Sequence, residues 1–432
     1  MGLRVLLINP PIYDFTAYDY WLKPYGLLRV AGHLRGRAEL SLFDYLDRRH
    51  PAMNISEERR VDPWGRGSFR SEPVPLPRAL AEIPRNYHRF GLERRLLQEF
   101  LAQQPPFDAV LIQTVMTYWY PGVREVIEDV RRRSPATRIA LGGVYATLCA
   151  SHAHQLEADL VVEGLDLNPL WEMLQLVPRE NPLPYWEGYP ELETGVIKLT
   201  EGCPFRCTYC SVPKVYPGFS GHPERALAEF DFLQRRGVKR IAFYDDALLF
   251  KEKQLFLPFL EEVIRRRSPV ELHTPNALNA RFITPEIARL MVQAGFKSFY
   301  LGFESAAYEW QKKTGGKVYS AELAQAVEYL IQAGADPQHI TAYLIIAHPQ
   351  EDVQGVEASM HFAHQLGIRL MLSEFSPLPG TPDGEACRRW VDLEEPLWHN
   401  KTAFPLVFLG RDKVAHLKTL CRQFNQSLRP CA

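Results

Sequence analysis

Between residues 194 and 375 the sequence repeats one pattern, a short apolar run followed by a helical stretch. The apolar runs fall at 195–199, 240–244, 270–273, 298–302, 340–346 and 369–375, and helical spacing fills much of the intervals, at 223–236, 253–267, 285–293 and 321–333. Strands that alternate with helices predict a parallel sheet, because each crossover helix covers a strand face. Six such units predict a parallel barrel, here a partial (β/α)6 one. Chemistry in barrels of this kind sits at the carboxyl ends of the strands. At those ends stand Tyr244-Asp245-Asp246, Thr274-Pro275-Asn276, Phe303-Glu304-Ser305 and Ala347-His348-Pro349, with the Pro-rich stretch 376–382 after the last strand.

The first of these strands opens into Thr200-Glu201-Gly202-Cys203-Pro204-Phe205-Arg206-Cys207-Thr208-Tyr209-Cys210. Thiols packed this closely on a loop can hold an iron–sulfur cluster. Three cysteines leave one iron of a 4Fe–4S cluster open to a ligand that is not protein. Cys207 and Cys210 alone would also fit a redox dithiol. A structural zinc site needs four nitrogen or sulfur ligands, and no second cysteine pair lies nearby. Cys149, Cys387, Cys421 and Cys431 are scattered singly and read as core or surface residues.

The C-x3-C-x2-C spacing, with Tyr209 before its last cysteine, resembles the radical S-adenosylmethionine (SAM) superfamily. The resemblance implies that Cys203, Cys207 and Cys210 hold a 4Fe–4S cluster whose open iron is chelated by the amino and carboxylate groups of SAM. It places Asp245 and Asp246 at the SAM amino group, Glu304 at the ribose, the Tyr209 backbone at the adenine and Asn276 at a further polar contact. The implied reaction is reductive cleavage of SAM to a 5′-deoxyadenosyl radical that takes hydrogen from an unactivated carbon. An external electron donor, such as a flavodoxin or ferredoxin, is then required. His348 stands where many relatives carry glycine.

The chain before residue 177 reads as a second α/β domain. Strands are expected at 4–8, 40–45, 109–113, 138–141 and 160–162, with helices at 26–34 and 121–133. Such a doubly wound sheet binds ligands at the carboxyl ends of its strands. Val5-Leu6-Leu7-Ile8-Asn9-Pro10-Pro11, Pro24-Tyr25-Gly26-Leu27-Leu28 and Leu141-Gly142-Gly143-Val144-Tyr145-Ala146-Thr147 look like the Rossmann-like cobalamin-binding domain of one radical SAM branch. That resemblance implies corrin contacts at Pro10, Gly26, Gly142 and Gly143, and at Tyr118 within the bulky run 116–120. The glycines also fit a plain tight turn, and the bulky run would either pack on a corrin or fill its space. No Asp-x-His-x-x-Gly supplies a histidine to cobalt.

The expected organisation is a cobalamin-binding-like domain at 1–176 with an insertion at 51–104, a proline-rich linker at 177–193, a radical SAM barrel at 194–382 and an extension at 383–432 that closes the open side of the barrel. The insertion is either an ordered flap or a surface excursion. A net charge of −1 gives no overall basic field for nucleic acid. The arginine runs 131–133 and 265–267 end helical patterns, where the helix dipole favours them. No apolar run is long enough to span a membrane, and Asn9-Pro10-Pro11 cuts short any leader. Seven cysteines without a leader point to a reducing cytoplasm.

The activity expected is thus cobalamin-dependent methylation of an unactivated carbon in a small molecule or peptide. The alternatives are a radical cyclisation, rearrangement or oxidation without methyl transfer, with or without cobalamin, and a cluster protein that carries electrons or senses without cleaving SAM. A transfer-RNA methylthiolase fits less well, because resemblance to those relatives would imply extra amino-terminal cysteines and a basic carboxyl-terminal RNA module, and neither is seen in this sequence.

Overall fold

The computed structural model describes residues 2–53 and 61–428. Part of the expected insertion and Cys431 lie outside the described residues. Packing divides the chain into two units, one of residues 1–192 with 393–400, the other of 193–392 with 401–432.

The first unit is a five-stranded parallel sheet with strands β1 Arg4–Asn9, β2 Glu39–Asp44, β3 Ala109–Thr114, β4 Arg138–Gly143 and β5 Leu160–Val162 in the order β5-β4-β3-β1-β2. Val5 to Ile8 are fully buried, as a strand covered on both faces requires. From β1 the chain goes to β2 on one side and then to β3 on the other. The crevice between β1 and β3 is therefore the point where ligands bind in sheets of this kind.

The expected insertion is shorter than 51–104. Its last part is the helix α2 Arg94–Gln103, the crossover that follows α1 Tyr25–Leu34 and precedes α3 Tyr120–Arg133. Only Leu97 and Leu101 of α2 are buried, so its arginines and glutamines hide the apolar stripe in the sequence. Among its other described residues, Tyr87–Phe90 pairs antiparallel with Ser71–Val74 and with Ile12–Asp14, and Gly67–Ser68 pairs with Tyr18–Asp19. The proline-rich stretch expected as a linker is packed into this unit, with Trp186 and Tyr189 fully buried. Its prolines stiffen an ordered path.

The second unit is a six-stranded parallel sheet in sequential order: β6 Thr194–Ile197, β7 Arg240–Phe243, β8 Glu271–Asn279, β9 Phe296–Glu304, β10 Ile340–Ile346 and β11 Arg369–Glu374. Its helices include α4 Pro223–Arg235, α5 Phe256–Arg265, α6 Pro285–Gln293, the short α7 Tyr308–Lys313, α8 Ser320–Gln332, α9 Val353–Gln365 and α10 Arg411–Ser427. This is the partial barrel the spacing predicts. Asn425 of α10 both accepts from the Leu370 N–H (2.8 Å) and donates to its carbonyl (2.9 Å), so the helix satisfies the outer edge of β11. The extension is not all barrel, because 393–400 packs in the first unit. Among the described residues, no helix is long and apolar enough to cross a membrane.

Candidate cluster and cofactor sites

β6 delivers the chain into the cysteine loop, and Asp245 at the end of β7 fixes its start. One Asp245 oxygen accepts from the Thr200 backbone N–H (2.5 Å) and its hydroxyl (2.8 Å). Asp245 is buried and its second oxygen has no hydrogen-bond partner. Burial pushes its carboxyl up to about 7, against the bonds from Thr200. Asp246 is more open and pairs with Lys198 at 3.3 Å. Burial raises its pKa as well, with Lys198 opposing. The two acids thus have different surroundings: Asp245 holds the loop, while Asp246 faces a cation. Asn276 is exposed and donates to the Asp245 carbonyl at 3.3 Å. It lies inside β8, because the third barrel strand runs on past a register irregularity between Thr274 and Leu278.

The three thiols are free and half-buried. Burial raises the pKa of all three, with Cys210 pushed up to about 12. Lys317 offsets part of this at each thiol. Lys317 Nζ also pairs with Glu304 Oε1 at 3.1 Å. Burial works against its ammonium, but Glu304 and Cys207 outweigh that and hold its pKa above the ordinary lysine value. Glu304 ends β9 in a left-handed conformation, φ 70°, beside a register shift in the pairing with β10. Backbone strain in a non-glycine residue at a strand end is typical of functional sites.

The loop 314–317 packs on the cysteine loop. A Cβ on Gly315 would lie 3.1 Å from Cys207 Cα, at a backbone φ of 119°. Only glycine permits this approach, and Gly315-Gly316 is the signal that would have drawn attention to Lys317. Tyr209 stacks on Trp310, ring centroids 6.0 Å apart. The donor set fits the cluster: three free thiols on one loop, the part-buried Lys317 to favour their thiolates, and no fourth cysteine on the loop. Among the described residues, no three His, Cys, Asp or Glu side chains are gathered as a single metal ion needs. Ligands to separate irons of a cluster do not converge in that way.

In the first unit, a cleft at the ends of β1 and β3 is lined by Asn9, Pro10, Pro11, Gln113, Met116 and Trp119, among others. Met116 is 45% exposed. Of the residues tied to cobalamin by resemblance, Pro10 lines this cleft. Gly26 is exposed, with the Gln113 side chain 3.6 Å from where a Cβ would stand. Tyr118 is buried. Gly142 has room for a Cβ, which would stand in ordinary contact with the Val162 side chain at 3.8 Å. Gly143 has φ 117°, and a Cβ there would collide with the Thr114 carbonyl, so packing alone requires glycine. The 117–120 turn is tied to the 393–400 segment of the same unit. His399 Nδ1 meets Thr117 Oγ1 (2.9 Å), and Asn400 and Trp119 both donate to Asp14 (2.9 Å each). Nothing in the composition of 393–400 announced that role.

Residues 197–363 match the family model described as the radical SAM superfamily. An uncharacterised methyltransferase of Pyrococcus horikoshii is 27% identical over 192 residues, which is 43% of this chain and 40% of the relative. A threonylcarbamoyladenosine tRNA methylthiotransferase of Thermotoga maritima is 24% identical over 281 residues, 60% of this chain and 64% of the relative. The chain thus spans less than two thirds of the length of either relative. In fold it is similar to the radical SAM methyltransferase TsrM from Kitasatospora setae, solved with cobalamin and a 4Fe–4S cluster. That likeness has a TM-score of 0.69 at 16% identity and covers 97% of this chain and 91% of the other.

Proposed function

Since residues 197–363 form a radical SAM domain, we propose that the protein is a cobalamin-dependent radical SAM methyltransferase acting on an unactivated carbon of a small molecule or peptide. The observation that carries this is one loop with three free thiols beside the part-buried Lys317, in a chain 97% of which follows the fold of a methyltransferase solved with cobalamin. When bound, the cluster, SAM and cobalamin supply reductive carbon–sulfur cleavage, a hydrogen-abstracting radical and a transferable methyl group.

The chain's own residues do the holding. Cys203, Cys207 and Cys210 are the cluster ligands. Lys317 balances the negative charge of the thiolates. Asp246 and Glu304 are the carboxylates for the SAM amino group and ribose, and in the ligand-free chain they pair with Lys198 and Lys317. Asp245 sets the loop through Thr200, and Asn276 and the Tyr209 backbone complete the polar rim. Pro10, Gly26 and Gly142 border the corrin site, with Met116 and Trp119 as its apolar wall. The electron comes from an external flavodoxin or ferredoxin, and the protein works in a reducing cytoplasm.

A second reading, radical SAM chemistry without methyl transfer, is favoured by Gly143 and Tyr118, whose placement is explained by packing alone. An absorption spectrum of anaerobically purified protein separates the two. Iron–sulfur bands together with corrin bands that convert to methylcobalamin with SAM support methyl transfer, while iron–sulfur bands alone, or corrin that does not convert, favour the second reading. Failure to release 5′-deoxyadenosine from SAM with reductant contradicts both.

A further inference from the structure

Between the second and third cysteines the loop turns through Thr208 and Tyr209, and each has partners outside the loop. The Thr208 hydroxyl donates to Asp383 Oδ2. Its backbone N–H donates to the Thr314 carbonyl (3.2 Å), and its carbonyl accepts from the Asp383 N–H (3.2 Å). The same Asp383 oxygen meets His348 Nε2 at 3.0 Å, and its other oxygen accepts from Gln350 at 3.1 Å. His348 Nδ1 accepts from Trp310 Nε1 (3.1 Å) and from the Gln350 N–H (3.2 Å). An indole N–H can only donate, so Nδ1 carries no proton and Nε2 directs its proton at Asp383. Trp310 closes the circuit by stacking on Tyr209.

His348 is fully buried, with both ring nitrogens used. Ala347 before it takes a left-handed φ of 62°, a costly turn for a residue with a Cβ, and this turn precedes the imidazole that the network engages. Asp383, read from the sequence as the start of an extension, is instead joined twice to the turn between two cysteines.

We infer that His348 and Asp383 are positioning residues that brace the turn between Cys207 and Cys210, fixing where these two thiols stand. This rests on the cluster assignment made above. A site held on a loop drifts unless its supporting shell is locked, and hydrogen-bonded partners behind metal ligands provide that lock. The Asp383 carboxylate is ionised: burial raises its pKa, but the bonds from His348 and Thr208 bring it below the usual value. A fixed negative charge hydrogen-bonded to the turn between two of the thiols also disfavours adding an electron to a cluster there.

The test uses the full chain, reconstituted anaerobically with iron and sulfide, as wild type, Asp383→Asn, Asp383→Glu and Thr208→Val. Circular dichroism checks folding, transfer of iron to a ferrous chelator gives the rate of cluster loss, and an electron-resonance redox titration gives the midpoint potential. Asp383→Asn and Thr208→Val are expected to fold and to lose iron about tenfold faster, the size of effect for one charge-assisted hydrogen bond. Asp383→Asn also shifts the potential upward, and Asp383→Glu returns it toward wild type. Wild-type iron loss and potential in both variants would overturn the brace while leaving the cluster assignment standing. A wild type that takes up no cluster overturns both. If Asp383→Asn does not fold, Thr208→Val decides by its rate of iron loss.

Discussion

The two units treat their candidate ligand residues differently. In the barrel, charged side chains just past the ends of β6 and β7, at the end of β9 and from the loop at Lys317 are set against one another near three free thiols. In the first unit, two of the five residues assigned to a corrin by resemblance are accounted for by packing, Gly143 by a carbonyl contact and Tyr118 by burial. A thiol or carboxylate set at strand ends has few structural uses, so it marks chemistry. A glycine has many, and it points to a ligand only where packing would tolerate a side chain, as at Gly142.

The largest effect separating the units should come from the thiols. Cys203→Ala, Cys207→Ala or Cys210→Ala should each abolish cluster uptake and 5′-deoxyadenosine release while leaving any corrin bands in place. Iron analysis and chromatography of the nucleoside check this, and retained activity in any of the three would count against the ligand set. Next comes Lys317→Met, which strands the largely buried Glu304. Removing one partner of such a pair costs about 3 kcal/mol when burial is complete, so a loss of about 2 kcal/mol is expected here, measured by denaturant unfolding. The double variant Lys317→Met, Glu304→Gln should recover much of that stability.

In the first unit, Gly143→Ala should cost about 1–3 kcal/mol whether or not a corrin is present, because its φ and the Thr114 carbonyl exclude a side chain. Gly142→Ala should leave the melting temperature unchanged and weaken cobalamin retention alone. An equal loss of stability in both would erase the distinction between packing and ligand glycines.

The smallest effect is a slope with pH. Burial raises the Glu351 carboxyl to about 7, against the hydrogen bond from Ser305. Its folded pKa lies above its unfolded value near the usual 4.5, so the folded state holds the proton more tightly. The stability this contributes is complete below the unfolded value and is lost as pH rises through about 7. Glu351→Gln should flatten the melting temperature between about pH 5 and 8.

Much of the barrel was legible because a strand covered on both faces is a continuous apolar run, as in 340–346, which became β10 without change. The thiol loop was legible from spacing alone. What escaped notice depended on contacts distant in sequence. Asp383 looked like tail until its bonds to Thr208 and His348, 175 and 35 residues away, were visible. Lys317 sat in an unremarkable basic stretch, and only the fold brings it to Glu304 and the thiols. α2 was missed because two leucines carry its buried face among arginines and glutamines. Segment 393–400 was missed because a return to the first unit leaves no local pattern.

One measurement reaches the three-thiol loop most directly: Mössbauer spectroscopy of protein reconstituted with isotopically enriched iron, recorded before and after adding SAM. A cluster held by Cys203, Cys207 and Cys210 alone predicts one iron site whose parameters move when SAM binds, with the other sites nearly unchanged. A cluster with four equivalent irons indifferent to SAM, or no cluster at all, would contradict it.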